Sequence, residues 1–156
     1  MSSANRLFGR PEGSQYRTER FFDTNILVYA FAADDPRSAA AESLIAEGGV
    51  ISVQVLNEFT NVARRKLRWR WEQIEASLAV IYELLGLVAP LTASIHARAV
   101  VLARDHELPV YNALTVAAAQ QAGCQILFSE NLQHGQKFGT PTVQNPFRRT
   151  PPALTI

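Results

Sequence analysis

Asp23, Glu58, Asn112 and Asn131, with Ser129 and Glu130 beside the last of them, are the oxygen-bearing residues whose placement could do chemistry in this chain. Asp23 stands in the middle of the apolar segment FFDTNILVYAF. A charged oxygen there falls where a buried strand hands over to a helix, the edge at which open α/β sheets bind ligands. Glu58 immediately precedes Phe59 in VQVLNEFTNVARRKL, where Val55, Phe59 and Val62 at i, i+4 and i+7 make one apolar helical face. Thr24, Asn25, Ser129 and Asn131 add neutral oxygens beside the acids. Hydrolysis of a phosphodiester at neutral pH requires charge neutralised on the phosphate and a water made nucleophilic, and Mg2+ or Mn2+ held by such hard donors does both. With no cysteine pair and no His-x-x-x-His spacing, nothing points to zinc. Taken singly, each residue has an ordinary reading: Asp23 as a cap or turn former, Glu58 as a solvated helix residue, Asn112 as an N-cap, and 129–131 as a loop. The chemistry depends on their being brought together.

The elements that must do so alternate along the chain. Phe21 and Phe22 open a strand, and Ile26 to Tyr29 carry the apolar run into a helix ending near Ala33. Asp35 as N-cap, Pro36 as first helical residue and Gly48 as stop bound a second helix. Val50 to Val53 is a brief strand before the Glu58 helix. Trp71 to Leu85 is a helix with Ile74, Leu78, Ile81 and Leu85 as its stripe, closed by Gly86; Leu87 and Val88 form a strand, and Ser94 to Glu107 is an amphipathic helix that Pro109 stops. Val110 and Tyr111 read as a very short strand, Asn112 to Ala122 as a helix of small residues, and Gln125 to Ser129 as a further strand. Strands this short and uniformly apolar imply an α/β fold, a mainly parallel sheet flanked by helices on both faces. In it Asp23, the loop before Asn112 and Ser129-Glu130-Asn131 converge on one edge.

At 156 residues and 47% hydrophobic the chain fits one domain, read as 21–147, with an N-terminal extension at 1–20 and a tail at 148–156. The net charge of +1 identifies neither nucleic acid nor membrane as a partner. The single cysteine, Cys124, excludes an internal disulfide and reads as a small buried hydrophobe in a reducing compartment. No secretory hydrophobic region and no bilayer-length apolar stretch is present, so the expectation is a cytoplasmic protein without membrane contact.

Together FFDTNILVYAF, QVLNEF, YNALTVAAAQQAGC and ILFSENLQHGQ resemble the PIN-domain nucleases, especially the VapC-type toxins of bacterial toxin–antitoxin pairs, over Phe21 to Phe147. The resemblance implies a single PIN-like domain that cuts RNA with Mg2+ or Mn2+, a cognate antitoxin inserting a segment into the active-site groove, and a homodimer. It also makes Asp23 the first acid, Glu58 the second, Asn112 the third and Asn131 the last, a position where the family tolerates Asp or Asn. Asn112 departs from the usual Tyr-Asp-Ala-Leu, whether replaced to tame a nuclease or naturally altered. Losing a unit charge about 4 Å from a divalent ion forfeits roughly 2 kcal/mol even in water. Metal affinity then falls by about an order of magnitude or more. Glu130, one residue from the fourth position, could compensate in part. The expected activity is therefore a weakened metal-dependent endoribonuclease; the alternatives are a catalytically inactive RNA- or protein-binding module and an Mg2+-dependent phosphohydrolase with an Asp nucleophile.

Arg64, Arg65, Lys66, Arg68 and Arg70 crowd the end of the Glu58 helix with Trp69 and Trp71 among them. Arg64, Arg65, Arg68 and Trp69 could contact RNA phosphates and a base, yet cations at a helix C-terminus also complement its dipole. His134, in the loop after Asn131, could approach a scissile phosphate or simply be solvated; His96 and His106 read as structural or solvated. No base-reading code is visible, so the RNA target is not legible.

Overall fold

The computed structural model describes residues 17–148; most of the N-terminal extension (1–16) and of the tail (149–156) lies outside them. Strand β1 (Arg20–Phe22) leads into α1 (Thr24–Phe31) and α2 (Ser38–Ala46). Then come β2 (Val50–Ser52), α3 (Val53–Arg65), α4 (Trp71–Leu85) and β3 (Leu87–Ala89). Helices α5 (Ala93–His106) and α6 (Val110–Gln121) precede β4 (Ile126–Phe128) and β5 (Thr142–Gln144). The strands form one sheet in the order β3-β2-β1-β4-β5, every neighbouring pair parallel. The α/β fold with helices packed about a parallel sheet is as expected.

β1 occupies the centre, and each of its residues is buried. Its register with β4 pairs Phe22 with Phe128, whose rings stack at 5.6 Å. From β1 the chain steps outward through β2 to β3, then returns across the sheet to β4 on the other side. The strand order therefore reverses between β1 and β4, and the crevice beyond their carboxyl ends is a topological switch point. Close packing fixes β1 here: a Cβ on Gly49 would lie 2.5 Å from the Phe22 ring and 3.0 Å from the Arg20 carbonyl oxygen. Arg20, placed with the extension on sequence grounds, is instead a buried strand residue, its guanidinium set against the Phe22 and Phe128 rings and bonded to Glu47 and the Leu44 carbonyl.

Helix ends follow the chemistry of their residues. Ser52 caps α3 by accepting the Val55 N–H at 3.2 Å, Thr92 caps α5 in the same way, and α4 stops at Gly86 with φ 67°. Four details differ from the sequence reading. Val53 begins α3 rather than ending β2. α2 starts at Ser38, because Asp35 binds the Arg37 N–H and guanidinium instead of capping a helix at Pro36. Val110 and Tyr111 form the first turn of α6, since Pro109 at φ −56° is already set for helix entry. Finally, β5 has no counterpart in that reading; a three-residue strand with one apolar side chain, Val143, gives little pattern to read.

Candidate metal centre

Asp23 is the N-cap of α1 and is nearly inaccessible, at 2% exposure. Its backbone N–H donates to the Phe128 carbonyl at 2.9 Å, which ties the residue to the end of β4 at the switch point. Oδ1 accepts the Thr24 N–H at 2.8 Å; Oδ2 accepts the Ser129 hydroxyl at 2.7 Å and, more weakly, the Asn25 amide at 3.4 Å. Burial pushes this carboxyl above its usual range, against the opposing pull of Ser129, Thr24, Asn25 and Thr115.

Glu58 arrives from α3, one turn after Gln54. The Gln54 amide donates to its Oε1 at 3.1 Å and the Thr24 hydroxyl to its Oε2 at 3.0 Å. Thr24 thus joins the two acids: its N–H holds Asp23 and its hydroxyl holds Glu58. Burial raises the Glu58 pKa, and the negative charge of Asp23 adds to the rise. A buried carboxyl, and beside it a second one whose ionisation the charge of the first disfavours, are what a cation would relieve.

The remaining residues sit at different distances from this pair. Thr115 of α6 is buried and within reach of Asp23. Asn112 lies three residues earlier on the same helix, hence on the same face, and is half-buried. It is the third residue of α6, not its cap. α6 also touches both β2 and α3, which brings the Asn112 helix against the Glu58 helix. Ser129 is fully buried and accepts the Asn131 N–H at 3.1 Å, while Asn131 itself is exposed. The Glu130 N–H donates to Asn25 Oδ1, but its carboxylate is bound by Arg37 and by the Tyr29 hydroxyl. His134 is exposed and accepts the Asn145 N–H; His106 sits edge-on to Phe138, and His96 is exposed.

Of the basic cluster, Arg64, Arg65 and Arg68 are exposed. The Trp69 ring is half-buried and packs edge-on against Phe59 at 6.3 Å, at the margin of the core. Trp71 is the exposed indole, half accessible, with the Arg64 guanidinium 5.1 Å from its ring. Sequence reading passes over Gln54, Thr115, Tyr29 and Arg37. The first two carry a usable signal, being i−4 from Glu58 and i+3 from Asn112.

All the donors around Asp23 and Glu58 are oxygens or amides, which suits a hard divalent cation. Among the described residues no cluster of three or more His, Cys, Asp or Glu that could hold a metal exists, so the anionic set is the pair Asp23 and Glu58. The fit is to a cation held more weakly than three carboxylates would hold it.

A parallel α/β sheet with acids at its switch point defines a class of metal-using domains. The sequence fits the PIN domain over residues 20–136, and the chain belongs to that family, whose members are typically nucleases and generally use divalent metals. Its fold matches VapC20 of Mycobacterium tuberculosis, described as a sarcin–ricin loop cleaving toxin, at 21% identity and TM-score 0.61 over 72% of this chain and 91% of that one. A toxin–antitoxin complex from Klebsiella pneumoniae matches at 21% identity and TM-score 0.62, over 81% and 97%. VapBC2 of Rickettsia felis, bound to a DNA fragment from its promoter, matches at 20% and 0.60 over the same shares. No curated protein matches the sequence. No helix among the described residues is long and apolar enough to cross a membrane.

Proposed function

We propose that the chain, with residues 21–147 as its working domain, is an Mg2+- or Mn2+-dependent endoribonuclease, the toxin of a VapBC-type pair, weakened by Asn112. The observation that supports this reading is that Thr24 bonds both Asp23, at the end of β1, and Glu58, on α3. Asp23 and Glu58 would hold the ion as anionic ligands, Asn112 as a neutral one, and Asn131 or Ser129 would position water. When bound, the cation neutralises charge on a phosphodiester and lowers the pKa of a water. The protein's part is orientation. Thr24, Ser129 and Asn25 fix the Asp23 oxygens, and Gln54 and Thr24 fix those of Glu58. A cognate antitoxin, a second copy of the chain and a cytoplasmic location belong to the same proposal, supported by the fold's likeness to crystallised toxin–antitoxin complexes.

The alternative, an inactive RNA- or protein-binding module, is favoured by the two-carboxylate set. One experiment separates them. Asn112→Asp is expected to raise Mn2+-dependent cleavage of single-stranded RNA by tenfold or more in initial rate, the size of one charge's worth of metal affinity (about 1.4 kcal/mol per tenfold). Equal, negligible scission by parent and variant, with no dependence on Mn2+, would leave only the binding module.

A further inference from the structure

Glu130 directly follows Ser129, which bonds Asp23, yet its carboxylate is committed elsewhere. Arg37 Nη1 reaches both of its oxygens, at 2.9 and 3.0 Å, and the Tyr29 hydroxyl donates to Oε1 at 2.7 Å. The other edge of the guanidinium grips Asp35 through two parallel bonds of 2.8 Å, from Nε to Oδ1 and from Nη2 to Oδ2. Its face lies 3.7 Å from the centre of the Tyr29 ring, and Phe147 meets that ring edge-on at 5.3 Å. Arg37 is 1% exposed and the Asp35 side chain 0%. A planar donor held on both edges and one face has a single orientation, and so therefore has the carboxylate it holds.

That carboxylate belongs to the segment that sets Asp23. Immediately before Glu130, the Ser129 hydroxyl donates to Asp23 Oδ2, and the Glu130 N–H donates to Asn25, whose amide faces the same oxygen. Two short routes thus run from Glu130 to the first acid. We infer that Arg37 and Tyr29 are positioning residues for the centre: they clamp Ser129-Glu130-Asn131 against Asp23, and they remove Glu130 from the set of groups that ligate the cation. This rests on the cation-site reading above and reverses the expectation that Glu130 compensates for Asn112.

The test is a double-mutant cycle read as Mn2+ affinity, by electron paramagnetic resonance of the free ion, on the full chain. Metal-free thermal unfolding is recorded alongside. Arg37→Lys keeps the charge but not the fork, and Glu130→Gln keeps the shape but not the charge. Each is expected to weaken Mn2+ binding roughly fivefold, with the pair together no worse than either alone, because both act through one contact. Tyr29→Phe, which keeps the ring, is expected to cost about twofold, and it replaces Arg37→Lys in the cycle should that variant not fold. Effects of Glu130→Gln and Arg37→Lys that multiply would make Glu130 a ligand and overturn the inference. Lower melting temperatures with Mn2+ affinity unchanged would make the network a strut of the fold, and would overturn it too. Both outcomes count only against the clamp as long as Asp23→Asn abolishes saturable binding; binding that survives Asp23→Asn brings down the cation-site reading and the clamp with it.

Discussion

At the residue level the candidate centre is held at a cost to the fold. Asp23 and Glu58 both keep their protons more tightly in the folded chain than in the unfolded one, burial being the first cause for each. Such groups contribute stability that is fully present below the ordinary carboxylate range, and that contribution is lost as pH climbs through their raised folded pKa values. Without a cation, ionising either carboxyl as pH rises through its folded pKa is therefore a cost to the fold. Glu58→Gln removes the like charge beside Asp23 and leaves Thr24 and Gln54 with a partner, since the Thr24 hydroxyl can turn to accept. The metal-free variant is expected to melt a few degrees above the parent at pH 7, and the gain should shrink as pH falls through the folded pKa of Glu58 and vanish below the ordinary carboxylate range. Mn2+-dependent cleavage should disappear in the same variant. Calorimetry of both proteins between pH 4 and 8 checks the sign, because a gain that grows toward low pH would contradict the electrostatic cause. This is the usual exchange of stability for a strained functional site.

At the level of elements, what positions Asp23 is the closeness of β1 to its neighbours. Gly49 lies just before β2, where even one methyl group would run into the Phe22 ring and the Arg20 carbonyl. The ring could turn, but Phe22 is stacked on Phe128 and wholly buried, and the carbonyl is backbone. Gly49→Ala is therefore expected to destabilise by about 1–3 kcal/mol, measured by urea unfolding, with the loss falling on the strand that leads into Asp23. Elements are the most legible part of this sequence, because alternating apolar runs and marked stops such as Gly86 report on local geometry. The misreadings fall at pieces of two or three residues. Val110 and Tyr111 look apolar enough for a strand, but Pro109 commits them to a helix that packs along α5 and against α3. The polar–apolar–polar triplet of β5 becomes a strand only because β4 lies alongside to pair with it. The Arg37–Glu130 pair is not legible at all: 93 positions separate its members, and nothing local marks either one.

For the molecule as a whole, the sheet order sets Asp23, after β1, beside Ser129, after β4, and Thr24 links Asp23 to Glu58 of α3, so an ion bound at that pair would tie together β1, α1, α3 and the segment after β4. Such a ligand, absent from the unfolded chain, stabilises by an amount that grows with the logarithm of its concentration over the dissociation constant. With the amide Asn112 as the proposed third donor, the parent should show only a small rise in melting temperature with added Mn2+. Asn112→Asp supplies the missing charge. If binding tightens tenfold, the variant at concentrations saturating for both proteins gains about 1.4 kcal/mol more than the parent, or roughly 3–5 °C for a chain of this size. EDTA should return each protein to its metal-free melting temperature. There the order reverses, the Asn112→Asp variant being the less stable, since a third carboxylate without a cation adds to the repulsion that already raises Glu58. Crossing of the two melting curves on Mn2+ titration is thus the expected signature of one shared cation site. Parallel curves, with the variant offset by a constant amount at every Mn2+ concentration, would mean that residue 112 does not face the ion.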